Sequence, residues 1–257
     1  MEIKNYWNQR AASDTVNATT NDIYLRVLER QTLIDELQKL GCSPESSVLD
    51  LGCGDGKTIE TLCAKFGCKG TGLDFSHAMV QLADERSSKL KSRLELTFVT
   101  GDIRKIKQQL AGQQFDFVLT DRSLINLEKS IEQLEAIGNI ANLVRPGGHY
   151  LAIENFVEGN ERLNELRKNF ELPPIPIRWH NKFFEENSFI EEAQKHFGGV
   201  RKIDFSSAYY LATRVIYSKL CQVDGIEPDY GHPIHEFSVS LPQIGDFSPI
   251  KLFILRK

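Results

Sequence analysis

The stretch that decides the fold is Val48-Leu49-Asp50-Leu51-Gly52-Cys53-Gly54-Asp55-Gly56. It begins with four residues typical of a buried β-strand and ends in three alternating glycines. Because glycine has no Cβ atom, this turn allows a ligand to approach the backbone closely. The helix that we expect to begin near Lys57 would point free N–H groups toward the same place. The stretch therefore predicts a strand, a turn and a helix that bind a nucleotide.

The spacing of the glycines distinguishes between classes of nucleotide site. Dinucleotide-binding enzymes use G-x-G-x-x-G, whereas this chain has Gly52-x-Gly54-x-Gly56, with Lys57 where the third glycine would stand. The phosphate-binding loop G-x-x-x-x-G-K-[ST] matches at its end, but Leu51 occupies the position of its first glycine. Both sites are disfavoured, and a nicotinamide oxidoreductase stays a minor alternative.

Strands and helices alternate along most of the chain. Short apolar runs predict strands at residues 48–51, 69–73, 94–99, 115–119, 149–153, 200–205 and 247–255. Helical spacing of apolar residues predicts helices at residues 21–40, 59–66, 130–144, 161–170 and 184–197. The buried face of the first of these helices is expected to carry Ile23, Val27, Ile34, Leu37 and Leu40. Strands separated by helices imply βαβ units and a mainly parallel sheet.

Composition excludes several classes of protein. The chain has 257 residues and a formal net charge of −4, which disfavours a general nucleic-acid binder. It contains no apolar run of the ~20 residues needed to span a bilayer, and its first residues do not resemble a secretion signal. Its five cysteines do not form a disulfide framework. We therefore expect a cytoplasmic protein with reduced thiols and no membrane partner.

The glycine stretch resembles motif I of the class I S-adenosylmethionine-dependent methyltransferases, whose form is close to hydrophobic-LD-hydrophobic-GxGxG. Four further motifs follow in the order that this family shows. They are Asp74 after the second strand, Gly101-Asp102-Ile103 after the third, Phe115-Asp116-Phe117-Val118-Leu119-Thr120 in the fourth, and Leu143-Val144-Arg145-Pro146-Gly147-Gly148 before the fifth. Five motifs in order over about a hundred residues make the resemblance specific.

The resemblance implies S-adenosylmethionine as cofactor and S-adenosylhomocysteine as product. By the same resemblance, Asp74 accepts hydrogen bonds from the ribose hydroxyls. Asp102 accepts one from the adenine amine, and Ile103 packs on the adenine ring. The N-terminal Tyr6-Trp7-Asn8-Gln9-Arg10 is similar to an arm that closes over the cofactor in related enzymes. The remaining cofactor contacts implied in this way are Trp7, Arg10, Asp50, Gly52, Cys53, Gly54, Phe75, Met79 and Thr120.

The resemblance also implies the fold class, which is α/β with a Rossmann-like, seven-stranded, mainly parallel sheet flanked by helices. We expect one domain over residues 1–257. Its parts are an N-terminal helical arm (1–41), a cofactor-binding core (46–155), a lid or acceptor insertion after strand five (156–199) and C-terminal strands that complete the sheet (200–257).

The acceptor is expected to be a small molecule. Enzymes that methylate the amino group of adenine or the amide of glutamine carry Asn/Asp-Pro-Pro-Tyr after strand four, whereas this chain has Thr120-Asp121-Arg122-Ser123. Residues 121–127, 153–156 and 178–181 look like a bacterial subgroup linked to sugar and surface-polysaccharide modification. This resemblance implies methyl transfer to a hydroxyl of a sugar or glycan precursor.

Candidate catalytic bases are His180, Glu154 and Asp121, in that order. Histidine titrates near neutrality, and His180 lies in the predicted lid. Glu154 ends strand five, at the functional edge of an open α/β sheet. Arginines suit anions or hydroxyls and Trp179 offers a stacking face. The predicted acceptor contacts are Arg122, Asn126, Asn155, Arg178, Trp179 and Tyr209.

Several alternatives remain open at the level of the sequence. The protein could methylate the nitrogen of an amino sugar or small amine, or bind the cofactor as a regulatory module without turnover. Tyr209, Tyr210 and Arg214 suit an acceptor pocket or ordinary packing equally well. No metal site is predicted, because His232 and His235 lack a partner set and Pro233 interrupts helical geometry. The oligomeric state is left open.

Overall fold

A computed structural model describes residues 2–13, 17–88 and 94–257. The strands are β1 (Ser47–Leu51), β2 (Lys69–Asp74), β3 (Leu96–Thr100), β4 (Phe115–Asp121), β5 (Val144–Asn155), β6 (Gly199–Ile203) and β7 (Ile250–Arg256). The helices are α1 (Glu2–Ser13), α2 (Ile23–Lys39), α3 (Lys57–Phe66), α4 (His77–Ser88), α5 (Ile106–Gln109), α6 (Ser130–Leu143), α7 (Val157–Asn169), α8 (Glu186–Gln194), α9 (Ser207–Tyr210), α10 (Tyr217–Asp224) and α11 (Pro233–Ser238). No helix of the described ranges is long and apolar enough to cross a membrane.

The strands form one seven-stranded sheet with the order β3-β2-β1-β4-β5-β7-β6. All neighbours from β3 to β5 pair in parallel, and β7 pairs antiparallel with both β5 and β6. The predicted α/β class with a Rossmann-like sheet is confirmed. In this topology the carboxyl ends of β1, β2, β4 and β5 meet at one edge, where such folds bind their ligands.

Two apolar layers hold the sheet between helices. Consecutive strand residues point to opposite faces, so Val118 packs in one layer while Leu119 packs in the other. Helices α6 and α8 cover the first face, and α2 and α3 cover the second. Both faces are covered, which explains why the central strands read as continuous apolar runs in the sequence.

The predicted buried face of α2 is wrong in part. Ile23 and Val27 are 41 % and 42 % exposed, whereas Leu25, Leu28 and Leu33 are buried instead. The helix is rotated relative to the prediction because it also turns charged and polar side chains inward. These are Glu29, Thr32 and Glu36. Apolar spacing alone could not show that rotation, because it assumes that buried residues are apolar.

The region after β5 differs from the predicted lid. Helix α8 falls within residues 156–199 but packs into the core through Phe189 and Ala193. The parts of this region that face the site are Asn160 and Leu163 of α7 and the segment 170–183. Between β6 and β7, where strands alone were predicted, α9 and α10 are joined by a π-helical segment, Leu211–Ile216, into one continuous helix. We call residues 170–183 and 207–230 the cap.

Gly159 of α7 provides a test of this packing. A Cβ atom at this position would lie 2.0 Å from the carbonyl oxygen of Ser248, whereas one at Gly138 of α6 would meet only the side chain of His196. We expect Gly159→Ala to lower the free energy of unfolding by about 1–3 kcal/mol, although alanine is the better helix former. Gly138→Ala, the matched control, should be neutral or stabilise by up to about 1 kcal/mol. Urea denaturation of both variants measures the difference, and equal stabilities would contradict the packing.

Candidate functional site

Three cavities adjoin one another at the carboxyl edge of the sheet. The main cavity, about 430 Å³, lies beside the glycine turn, between the ends of β1, β2 and β3 and helix α1. The loop cavity, about 300 Å³, lies between the glycine turn and α2. The cap cavity, about 180 Å³, is covered by the cap. Gly52 and Asp121 line both the main and the loop cavities, so these two lie side by side.

Asp74 lines the main cavity and holds the backbone of the glycine turn by hydrogen bonds. Its Oδ2 accepts a hydrogen bond from the backbone N–H of Gly54 at 2.9 Å, and its Oδ1 accepts one from that of Ser76 at 2.8 Å. Burial raises the pKa of Asp74 to about 6, although both hydrogen bonds favour the charged form. A carboxylate oxygen has more than one lone pair, so Asp74 could accept further hydrogen bonds from a ligand while holding the glycine turn.

Asp102 lies farther along the same cavity and is already paired. The Nε and Nη2 atoms of Arg104 donate to its two oxygens at 3.0 and 2.7 Å. Partial burial would raise the pKa of Asp102, but the hydrogen bonds from Arg104 outweigh it and lower the pKa. Ile103 is buried beside it, and Phe75 and Met79 also line the cavity. Any amine that binds Asp102 therefore shares the carboxylate with Arg104.

The glycine turn packs closely against neighbouring segments of the protein, besides leaving room for a ligand. A Cβ atom on Gly52 would lie 2.3 Å from the Cβ of Ser123, which follows β4. At Gly54, whose φ is +52°, a Cβ atom would lie 2.7 Å from a methyl group of Thr19. Both glycines are thus required by close packing of neighbouring segments, a reason that the sequence alone did not reveal.

The loop cavity carries unpaired carboxylate oxygens. The buried Oδ1 atoms of Asp50 and Asp121 have no hydrogen-bond partner among the described residues. Burial and the nearby Asp121 carboxylate raise the pKa of Asp50 to about 8. Arg26 pairs with Asp121 at 2.6 Å, and Arg30 also lines the cavity. Carboxylates beside guanidinium groups are complementary to the ammonium and carboxylate of an amino acid, so the residues fit the methionine end of S-adenosylmethionine.

Sequence reasoning missed Arg26, which lines all three cavities, and Glu29, which pairs with it. The Glu29 side chain is fully buried on α2, 3.1 Å from Nη1 of Arg26 and 3.0 Å from Nε of Arg122. Burial raises the pKa of Glu29 to about 7, although both arginines favour the charged form. No local motif surrounds it, so no signal in the sequence marks it.

The cap cavity contains polar side chains that lack partners. Oδ1 of Asn155 and Nδ1 of His180 are buried and have no hydrogen-bond partner in the part of the chain described. The His180 ring stacks on Tyr6 of α1, with ring centroids 4.5 Å apart. Burial and the nearby charge of Arg178 lower the pKa of His180, so the ring is neutral at neutral pH. Arg178 also lines this cavity.

The structure places several predicted residues elsewhere. Arg10 donates to the backbone carbonyls of Asn17 and Ala18 and does not line the main cavity. Thr120 is buried, is hydrogen-bonded to Tyr150 and lines none of the three cavities. Trp179 is 61 % exposed and lines none of the three cavities. None of these three side chains lines any of the three cavities in this structure.

Glu154 is also unsuited to the predicted role of base. It is fully buried, and its two oxygens accept hydrogen bonds from the backbone N–H groups of Leu124 and Ile125. Burial raises the pKa of Glu154 to about 8. Glu154 therefore holds the segment after β4. It lines none of the three cavities, so it has no access to an acceptor.

Tyr209 anchors the cap and does not line the cap cavity. Its hydroxyl donates to Asp22, the N-cap residue of α2, at 2.6 Å, and lies 3.0 Å from Nδ1 of His235. Arg214, in the π-helical segment, pairs with the other oxygen of Asp22. Tyr210, the residue after Tyr209, lines the cap cavity instead. His235 is therefore occupied by this buried cluster.

The remaining predicted site residues line the three cavities. Those at the main cavity are Trp7, Gly52, Gly54, Asp74, Phe75, Met79, Asp102, Ile103, Asp121, Arg122 and Asn126. Those at the loop cavity are Asp50, Gly52, Cys53 and Asp121. Those at the cap cavity are Trp7, Arg122, Asn126, Asn155, Arg178 and His180. Trp7 is held there by a hydrogen bond from its Nε1 to Oδ1 of Asn126 at 3.0 Å.

Similar proteins are methyltransferases. O-methyltransferase rstn1 of Aspergillus nomiae is 23 % identical over 175 residues, which cover 66 % of this chain and 72 % of that protein. The ubiquinone biosynthesis O-methyltransferase of Yersinia pestis is 34 % identical over 113 residues, 44 % of each chain. This chain therefore spans less than half of that second relative.

A solved structure shares the fold over nearly the whole chain. The N-methyltransferase NodS of Bradyrhizobium japonicum, in complex with S-adenosylhomocysteine, has a TM-score of 0.62 and 16 % identity, and the match covers 100 % of this chain and 99 % of that one. The family model described as a methyltransferase domain matches residues 43–197, more than half of the chain. The chain thus belongs to the class I methyltransferase domain family, and its cofactor is S-adenosylmethionine.

Proposed function

We propose that this methyltransferase transfers a methyl group to a hydroxyl of a small polar acceptor, a sugar or glycan precursor. The observation that carries the proposal is the cap cavity, which adjoins the main cavity and holds the neutral, unpartnered His180 beside the unpartnered Asn155. A buried polar atom without a partner is costly, so both atoms are suited to a ligand.

The main cavity and the adjacent loop cavity each take one end of the cofactor. In this proposal the ribose hydroxyls donate to Asp74 and the adenine lies near Asp102 and Ile103 in the main cavity. The ammonium and carboxylate of the methionine end lie in the loop cavity, near the Oδ1 atoms of Asp50 and Asp121 and near Arg30. The bound cofactor supplies a methyl group already activated by a positively charged sulfur.

His180 takes the role of general base in this proposal. A base must be neutral before it accepts a proton, and burial together with the Arg178 charge keeps His180 neutral. The proton of the acceptor hydroxyl passes to the imidazole, and the side chain of Asn155 orients the same hydroxyl through a hydrogen bond. The walls of the cavity hold the acceptor in line with the cofactor and limit its contact with water.

The cap cavity suits a hydroxyl better than a protonated amine. Among the described residues that line it, Asp22 is the only carboxylate, and its oxygens already accept from the N–H of Leu25, from Tyr209 and from Arg214. An ammonium group would find no free counter-charge there. Amides of Asn155, Asn160 and Asn181 and the guanidinium of Arg178 are suited to sugar hydroxyls or a phosphate. Two of the relatives are O-methyltransferases by name.

A direct test is to incubate the protein with methyl-labelled S-adenosylmethionine and matched acceptors. The panel contains sugar phosphates, nucleotide sugars, their amino-sugar counterparts and simple phenols, and the products are identified by mass spectrometry. We expect an O-methyl product from a sugar hydroxyl. Methylation of the amino sugars alone would contradict the proposal and favour N-methyl transfer.

His180→Asn should separate chemistry from cofactor binding. Removal of a general base lowers kcat by about 10²–10⁴-fold. The affinity for S-adenosylhomocysteine should stay close to that of the wild type, because His180 does not line the main cavity. Steady-state kinetics and calorimetric titration measure the two effects. His196→Asn, at a histidine paired with Glu192 and remote from the cavities, is the control. An unchanged kcat in His180→Asn would exclude it as the base.

Arg178→Gln should change the pH profile of the reaction. The active form of His180 is neutral, so kcat falls as the pH drops through the pKa of His180, which burial and Arg178 lower from the ordinary histidine value. Loss of the Arg178 charge removes one cause of the lowered pKa, so this acid limb should move toward higher pH. A pH–rate profile of wild type and variant shows the shift. A limb that stays in place would mean that another group titrates.

Asp74→Asn should weaken cofactor binding. The amide offers one acceptor oxygen in place of two, so it cannot serve both backbone N–H groups and the ribose hydroxyls. We expect the Kd for S-adenosylhomocysteine to rise about tenfold or more, as for the loss of a charge-assisted hydrogen bond. Calorimetry measures it. Asp116→Asn, at a carboxylate that accepts from the N–H of Ser47 outside the cavities, is the control. Equal Kd values in both variants would refute the assignment.

A further inference from the structure

Five residues line both the main cavity and the cap cavity, and we call them the shared wall. They are Trp7, Thr19, Arg26, Arg122 and Asn126. In the proposed function, cofactor and acceptor meet across this wall, so its position sets the distance and angle between them. Two of its members are arginines, and both contact one buried side chain, that of Glu29.

Glu29 forms ion pairs with both arginines and does not itself line a cavity. Its Oε2 lies 3.1 Å from Arg26 and its Oε1 lies 3.0 Å from Arg122, and its side chain has no exposed surface. Arg26 has a second partner, Asp121. Arg122 has no other ion-pair partner in the described ranges. The Arg122 side chain is only 20 % exposed, and a largely buried charge that loses its partner is unfavourable, so Arg122 depends on Glu29.

The backbone of Arg122 is strained. Its φ is +55°, in the left-handed region that side chains other than glycine rarely adopt. The backbone is held by the N–H of Arg122, which donates to the carbonyl of Ile153 at 2.7 Å, and the side chain is held by Glu29. Strain of this kind persists where surrounding contacts enforce it.

Hydrogen bonds connect Arg122 to other residues of the shared wall. The side-chain amide of Asn126 donates to the carbonyls of Arg122 and Ser123, and its oxygen accepts from Trp7. Ser123 in turn packs against Gly52 of the glycine turn. A movement of Arg122 would therefore reach Trp7 on the acceptor side and the glycine turn on the cofactor side.

We propose that Glu29 is a positioning residue, which holds Arg26 and Arg122 and thereby fixes the shared wall between cofactor and acceptor. Glu29 itself touches neither ligand. Its effect on the cofactor side follows from the cofactor alone, and its effect on the acceptor side rests on the function proposed above.

The test compares Glu29→Gln with Glu36→Gln. Glu36 lies two turns farther along α2, is also buried and also pairs with two cations, Lys39 and Arg201. Unlike the two arginines held by Glu29, these cations line none of the three cavities. Both variants are made in a Trp179→Phe background, so that Trp7, the other of the two tryptophans, is the only fluorophore of its kind. Measurements at about pH 8 keep Glu29 ionised, because its pKa is about 7.

We expect Glu29→Gln to raise the Kd for S-adenosylhomocysteine about tenfold and to shift Trp7 emission to longer wavelength. Glu36→Gln should lower thermal stability without either change. If the two variants have equal Kd values and equal emission, Glu29 has a structural role only and the proposal is overturned. If the background protein itself fails to bind S-adenosylhomocysteine, the cofactor site is at fault and Glu29 cannot position a wall around it, which also overturns the proposal.

Glu29→Asp keeps the charge and shortens the side chain by one methylene, so it serves if Glu29→Gln does not fold. One carboxylate on the shorter side chain cannot reach both arginines at their present distances. We expect a Kd several times that of the background protein, with a smaller change in Trp7 emission than in Glu29→Gln. A Kd equal to that of the background protein would overturn the proposal, because the position of the carboxylate would then not matter.

Discussion

Three carboxylates lie at or near the ends of three adjacent parallel strands, and the site depends on how their charge is balanced. Asp50, Asp74 and Asp121 belong to β1, β2 and β4, which are neighbours in the sheet. Burial and mutual repulsion raise the pKa of Asp50 to about 8. Arg26 on α2 pairs with Asp121 and supplies a positive charge next to these carboxylates. Helix α2 is therefore part of the site and not only a cover for the sheet.

Sequence reasoning predicted the parts of the structure that depend on local pattern. The glycine turn and the amphipathic helix α3 are encoded within about twenty residues, and α3 does bury Ile59, Leu62 and Cys63. Asp74 and Asp102 were found because they follow strands at fixed places in a motif. Asp102 pairs with Arg104, two residues along the chain, and Asp74 accepts from an N–H group of the glycine turn, which the motif itself predicts.

The parts that were missed depend on contacts between distant residues. Arg122 meets Glu29 across 93 positions, and Tyr209 meets Asp22 across 187. A charged residue on a helix is normally read as solvated, so neither burial nor pairing can be inferred for Glu29. The rotation of α2 has the same origin: a helix that buries carboxylates as well as leucines has no clear apolar face.

The two halves of the site differ in how far the family determines them. The main cavity is built mostly from residues 43–197, the part that the family model matches. Nearly half of the residues around the cap cavity lie outside that part, among them Tyr210, Arg214 and Tyr230 of the cap. Because Arg214 and Tyr209 tie the cap to Asp22 at the start of α2, the cap and the helix that balances the charges of the site form one unit. A change of acceptor would thus require changes in the cap that preserve the Asp22 cluster, and the family resemblance alone does not determine the acceptor.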